Sequence, residues 1–141
     1  VSRFRTIVVG FDGSPDSQAA LRWAAQMSGA VGARLRIVHA VGLLEHAGLL
    51  HEHATVHRET ALRVAEDAGA PAADVEWTVV DGDPCSALLR SIAAPDPADL
   101  LVVGSRGSAA HGGTLLGSTS LEVAEHSNVP VTIVPASYGR A

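Results

Sequence analysis

The chain has 141 residues, of which 47% are apolar and 18% charged. That composition excludes a disordered chain, and the length suits one domain spanning 1–141 with a real core. The net charge is −5 and every one of the ten basic residues is an arginine. Walker A and protein-kinase phosphoryl transfer both need a lysine, as does Schiff-base chemistry, so these are excluded as usually built. The arginines are scattered, which leaves no basic stripe for nucleic acid. No apolar run approaches the roughly 18 residues of a membrane span. Val1–Arg5 leads straight into a strand-like run and reads as neither a signal nor a transit peptide. With a lone cysteine, Cys85, unable to form an internal disulfide, a cytoplasmic location is expected.

Residues 5–11 are β-branched and almost continuously apolar, the pattern of a strand buried on both faces. Asp12-Gly13-Ser14-Pro15 ends it. A helix follows, with Ser14 as N-cap, Pro15 as its first residue and Ala20, Trp23, Ala24, Met27 and Val31 at helical spacing; Gly29 and Gly32 are read as its end. Residues 34–41 form a second strand. The segment 42–53 carries no clear pattern. A helix over about 50–68 closes at Gly69-Ala70-Pro71. Val75–Val80 is a strand whose partial alternation suggests a sheet edge. Asp83-Pro84 opens a helix carrying Ala87, Leu88, Ile92 and Ala93 that stops near Pro95. Asp99–Gly104 is the fourth strand, 118–127 the last helix and Val129–Val134 the last strand. Strict alternation of strand and helix predicts an α/β fold, a doubly wound parallel sheet with helices on both faces. Ligands of such sheets bind beyond the carboxyl ends of the strands, where the strand order reverses. That directs attention to Gly10–Ser14 and to Gly104–Ser120.

The second segment holds Gly104, Gly107, Gly112, Gly113 and Gly117 between a buried strand and a helix. Such a loop lets successive amides face one concavity and bind an anion. The helix starting near Ser118 adds unpaired N–H groups and a positive dipole end, and Ser118, Thr119 and Ser120 add hydroxyls. Arg106 is the only formal cation nearby. Gly107–Thr114 has Walker A spacing, but Gly113 stands where the lysine belongs. The dinucleotide fingerprint is absent, and so is the G-x-S-x-G elbow of hydrolases.

Gly104, Gly107, Gly117 and Ser118 fill the pattern G-x2-G-x9-G-[ST], which resembles the nucleotide-binding motif of the universal stress protein family. Ile7-Val8-Val9-Gly10-Phe11-Asp12-Gly13-Ser14 is similar to that family's first strand and acidic turn. Ile37–Val41 resembles its second strand and Val129–Val134 its last, so the resemblance spans essentially the whole chain. It implies a Rossmann-like domain, similar to the adenine nucleotide alpha hydrolases, with five strands in the order 3-2-1-4-5. It also implies the ATP-binding branch, with Mg²⁺ accompanying the nucleotide. Carried over by position, Asp12 meets the ribose hydroxyls or the metal, the backbone of Ala40 meets the adenine edge, and Gly104 lies under the ribose and α-phosphate. Gly107, Gly117, Ser118 and Ser120 hold the phosphates, while Gly10, Val103, Ser105 and Thr119 complete the expected site; Arg106, at a position that varies in the family, is added to it as the nearby cation. The family commonly dimerises, and pairing of Val129–Val134 with a second copy would cover an edge that has no interior charge. The implied function is that of a stress-response sensor or regulatory module with slow or no hydrolysis. The alternatives are an interaction module in which nucleotide is incidental, or a slow ATPase.

Other residues carry two readings. Asp12 could instead cap the helix that begins at Pro15. His46, His51, His53 and His57 form a cluster, with the last two at i, i+4; it could bind zinc or be a solvated, pH-sensitive face. Cys85, in the first turn of a helix, could have an acidified thiol or be a small half-buried residue. His111 could reach the phosphates or lie in water, and Trp23 and Trp77 are expected to pack.

Overall fold

A computed structural model describes residues 4–41, 51–93, 95–106 and 116–139, with the backbone alone at 51–54. The strands are β1 (Thr6–Gly10), β2 (Arg34–Val41), β3 (Val75–Asp81), β4 (Leu100–Gly104) and β5 (Val131–Val134). The helices are α1 (Pro15–Val31), α2 (His51–Asp67), α3 (Pro84–Ser91) and α4 (Ser118–His126), with a short 3₁₀ turn at Ala72–Asp74. All pairings are parallel and the order is β3-β2-β1-β4-β5. The expected doubly wound sheet is therefore present, and the order reverses between β1 and β4.

The continuous apolarity of β1 and β4 follows from their central place. Ile7, Val8 and Val9 are fully buried, as are Leu101 and Val102. Alternate side chains enter two separate cores. Ile7, Val9, Leu35, Ile37 and Val102 pack with Leu21, Ala24 and Ala25 of α1 and Ala61 and Ala65 of α2. Val8, Val38, Leu101 and Val103 pack with Cys85 and Leu88 of α3 and Val123 of α4. The partial alternation of β3 has the expected cause, since β3 is an edge strand and Val79 is exposed.

Helix boundaries follow local chemistry, with two departures. Ser14 Oγ accepts from Ser17 N at 3.2 Å, and Asp83 Oδ1 accepts from Ser86 N at 3.0 Å, so both expected N-caps form. Gly32 takes φ 73° just past α1 and ends it. Gly29, read from sequence as part of that end, lies within the helix instead. A Cβ there would stand 2.7 Å from the Gly69 carbonyl oxygen, so the glycine serves the close approach of α1 to the chain leaving α2. Helix α3 stops at Ser91, short of Pro95, because the chain turns at once toward β4 and Ala98 N–H donates to Ile92 O at 3.1 Å. None of the helices among the described residues is long and apolar enough to cross a membrane.

Candidate functional site

The carboxyl ends of β1, β2 and β4 meet at one edge of the sheet. Phe11 N–H donates to Val38 O at 2.9 Å, which carries the β1–β2 ladder one residue beyond Gly10. The chain then turns sharply. Asp12 Oδ1 accepts the Ser14 amide at 2.9 Å, and Asp12 N–H donates to Ser17 Oγ at 3.2 Å. Asp12 thus shapes the turn into α1, although Ser14 and not Asp12 is the helix cap. Gly13 reaches φ 83° in this turn, a conformation that disfavours any side chain. Ala40 lies at the same edge, in register with Val80 of β3.

On the other side of the reversal, Gly104 ends β4 against the first turn of α1. A Cβ at Gly104 would lie 2.8 Å from the Asp16 carbonyl carbon and oxygen, so only glycine allows the helix this close. Ser105 then uses all its polar groups. Its N–H donates to Val134 O at 3.0 Å and its carbonyl accepts Gly117 N–H at 2.7 Å. Its hydroxyl donates to Asp16 Oδ2 at 2.8 Å. The Arg106 amide donates to the same oxygen at 2.9 Å. The Gly117–Ser105 bond brings the two ends of the glycine loop together, and Ser120 Oγ reinforces it, lying 3.2 Å from Ser105 O and 2.9 Å from Gly117 O.

Helix α4 starts from Gly117 without a side-chain cap. Its first intrahelical bond is Leu121 N–H to Gly117 O at 3.2 Å, so the N–H groups of Ser118, Thr119 and Ser120 precede the ladder. They face the helix's N-terminal end, where partial positive charge favours an anion. Ser118 is exposed, Thr119 half-buried and Ser120 buried. The expected site residues Gly10, Asp12, Ala40, Val103, Gly104, Ser105, Arg106, Gly117, Ser118, Thr119 and Ser120 therefore share the carboxyl edge of the sheet or the loop leaving it. Gly107 lies outside the described residues, as do Gly112, Gly113 and His111. A magnesium ion typically uses one or two carboxylates and completes its shell with phosphate and water. Asp12, half-buried at this edge, suits that role as a single protein ligand.

Two features were not anticipated from sequence. Asp16 joins α1 to the loop's mouth; its place in a first helical turn gave a reason for an acid there, but not its partners on β4. His39 is buried at the end of β2, its Nδ1 2.9 Å from Phe11 O, and it stacks on Trp77 with ring centroids 5.6 Å apart. Trp77 accordingly packs, as does Trp23 against the α1–α2 core. His57 stands edge-on to His39 at 5.1 Å, and its Nε2 would lie 2.7 Å from a Cβ at Gly13. It is half-buried over the Gly13 turn rather than part of a solvated face. His46 and the side chains of His51 and His53 lie outside the described residues, and no group of three potential metal ligands occurs among those described.

Comparison with known proteins fits this arrangement. The profile of the universal stress protein family matches residues 3–135. A universal stress protein of Mycobacterium tuberculosis is 37% identical over 146 residues, covering 95% of this chain and 98% of its own. A crystal structure of a universal stress protein in complex with cAMP is 38% identical and superimposes with a TM-score of 0.76, over 96% of this chain and 100% of that one. The universal stress protein UspA from Lactobacillus plantarum shares the fold at 22% identity, with a TM-score of 0.82 over 95% of this chain and 99% of its own. The chain, from its reversed strand order to its glycine loop, belongs to the universal stress protein family.

Proposed function

We propose that this protein binds an adenine nucleotide at the carboxyl edge of β1 and β4 and acts as a stress-response sensor or regulatory module. One observation carries the reading: the Asp12–Ser14 turn and the closed mouth of the glycine loop flank the strand-order reversal, with Gly104 pressed against the first turn of α1. A ligand there would meet the Asp12 carboxylate on one side and the uncapped N-terminus of α4 on the other. Asp12 would accept from ribose hydroxyls or hold Mg²⁺, the Ala40 backbone would meet the base edge, and the amides of Ser118 and Thr119 would take phosphate. ATP with Mg²⁺ is the ligand the motif argues for, and the complex of a 38% identical relative with cAMP supports an adenine ligand more generally. With no lysine in the chain, phosphoryl transfer would be slow or absent. We further propose a cytoplasmic, single-domain protein that pairs with a second copy through the last strand.

Calorimetric titration with ATP, cAMP and GTP, each with Mg²⁺, tests the site. Saturable binding of an adenine nucleotide is expected, weakened at least tenfold by Gly117→Val, which puts a branched side chain at the start of α4. Absence of binding by any adenine nucleotide would overturn the reading.

A further inference from the structure

The mouth of the glycine loop already contains an anion, and it belongs to the protein. Two donors converge on a single oxygen, Asp16 Oδ2, the Ser105 hydroxyl at 2.8 Å and the Arg106 amide at 2.9 Å, and the Arg106 guanidinium forms a long ion pair with it, its Nε 4.0 Å away. Asp16 is 8% exposed and is anchored in the first turn of α1, the turn whose backbone presses against Gly104. The carboxylate is held in the loop's mouth by its hydrogen bonds to Ser105 and Arg106, and the backbone that carries it is fixed against β4. A hydroxyl, a backbone amide and a guanidinium are the donors that would otherwise receive a phosphate oxygen.

From this geometry we infer that Asp16 is a specificity-determining and positioning residue of the nucleotide site. It holds the loop's mouth through Ser105 and Arg106, and its charge disfavours a bare polyphosphate, so that a single-phosphate adenine nucleotide enters unaided and a triphosphate enters with a divalent cation. The inference rests on the nucleotide reading above. The physical reason is local. A fixed charge at low exposure is poorly screened, and the Debye length at physiological salt, about 8 Å, exceeds the distance across a phosphate or two. A cyclic monophosphate carries one negative charge and can place it at the N-terminus of α4. A triphosphate carries several, and they cannot all leave the field of Asp16. A divalent cation on the chain removes most of that cost. Arg106 offsets it only in part, because its Nε stands 4.0 Å from Asp16 Oδ2 and its side chain is 40% exposed to water.

The test separates charge from geometry. In Asp16→Asn the side-chain oxygen can accept the same two hydrogen bonds from Ser105 and Arg106 while the negative charge is lost. Affinities for ATP and cAMP are measured calorimetrically in chelator-treated buffer and again with Mg²⁺. The ATP-to-cAMP affinity ratio without metal is expected to rise by about tenfold in Asp16→Asn, and the Mg²⁺ dependence of ATP binding to shrink with it. A ratio unmoved by Asp16→Asn overturns the role of the charge while nucleotide binding by the wild type stands. A wild-type protein that binds no adenine nucleotide under either condition overturns both. The wild type alone gives an independent measurement that does not depend on a variant folding. Without metal its affinity must fall from cAMP through AMP to ATP, and an order with ATP tightest refutes the inference.

Discussion

A thiol in the first turn of a helix is ordinarily made more acidic by the helix's positive end. Cys85 sits in that turn of α3, yet its pKa is raised. Burial in the second core is the main cause, followed by the Glu122 carboxylate of α4. The sequence placed the thiol beside a helix terminus but could not show α4 folding back over it. Of its two readings, the small packing residue is the one the structure supports, although Cys85 is buried rather than half-buried. Alkylation by iodoacetamide at neutral pH should therefore be at least tenfold slower in the native protein than in urea. The sign of the pH dependence follows. A folded pKa above the unfolded value contributes stability that is fully present below the ordinary thiol range and is lost as the pH rises through the folded value. Urea midpoints should accordingly fall at alkaline pH less steeply in Cys85→Ala than in the wild type. Equal slopes would show that the thiol takes no part. Asp16 marks the matching limit at the site itself. Its residue type suits a helix start, but its function depends on residues almost ninety positions away, and no periodicity connects them.

At the scale of elements, most of the architecture was legible because β1, β4 and α1 follow their patterns with little compromise. The errors fell where a tertiary contact set the residue. Gly29 is the clearest case, since a glycine near a helix end resembles a stop signal, but here it belongs to a helix crossing. Replacing it with alanine pits two effects against each other. Helix propensity gains about 1 kcal/mol. Against that, the new Cβ would lie 2.7 Å from the Gly69 carbonyl oxygen, a backbone atom, and Gly69 itself holds φ 106° with its N–H donating to Glu66 O at 3.1 Å. Overpacking against an element that cannot yield typically costs about 1–3 kcal/mol, so the steric term wins. Gly29→Ala should lower the stability measured by urea unfolding by about 1 kcal/mol, the middle of the net range. An unchanged or higher midpoint would show that the chain after α2 moves freely. The site divides in a similar way. The glycine spacing and Asp12 could be read from the chain, whereas the Ser105 hub, with bonds to Val134, Gly117 and Asp16, joins four elements and was invisible in any one of them.

The whole molecule has two sheet edges, and they differ. On β3, Glu76 forms ion pairs with Arg34 at 3.6 Å and Arg36 at 3.2 Å, so that edge carries charge. On β5, Val131, Thr132 and Ile133 are half-buried and uncharged, a poorly guarded edge. Leu101 N–H donates to Pro130 O and Ser105 N–H to Val134 O, so the even-numbered residues of β5 face β4. By the alternation of a strand, the polar backbone groups of Val131 and Ile133 then point outward, toward the position a second copy would occupy. Val131 is also the first residue of its strand, where proline is tolerated. Val131→Pro deletes one outward N–H and leaves the β4 ladder intact. We expect the wild type to sediment as a dimer at micromolar concentration and Val131→Pro to sediment as a monomer, with its thermal midpoint lowered by only a few degrees. A variant that remains dimeric would move the interface away from β5, and a monomeric wild type would remove the proposal of pairing altogether. Because β5 also anchors Ser105 through Val134 O, the same experiment reports on the site. If pairing stiffens β5, adenine nucleotide should bind the Val131→Pro monomer more weakly than the dimer, and equal affinities would show that the edge and the glycine loop act independently.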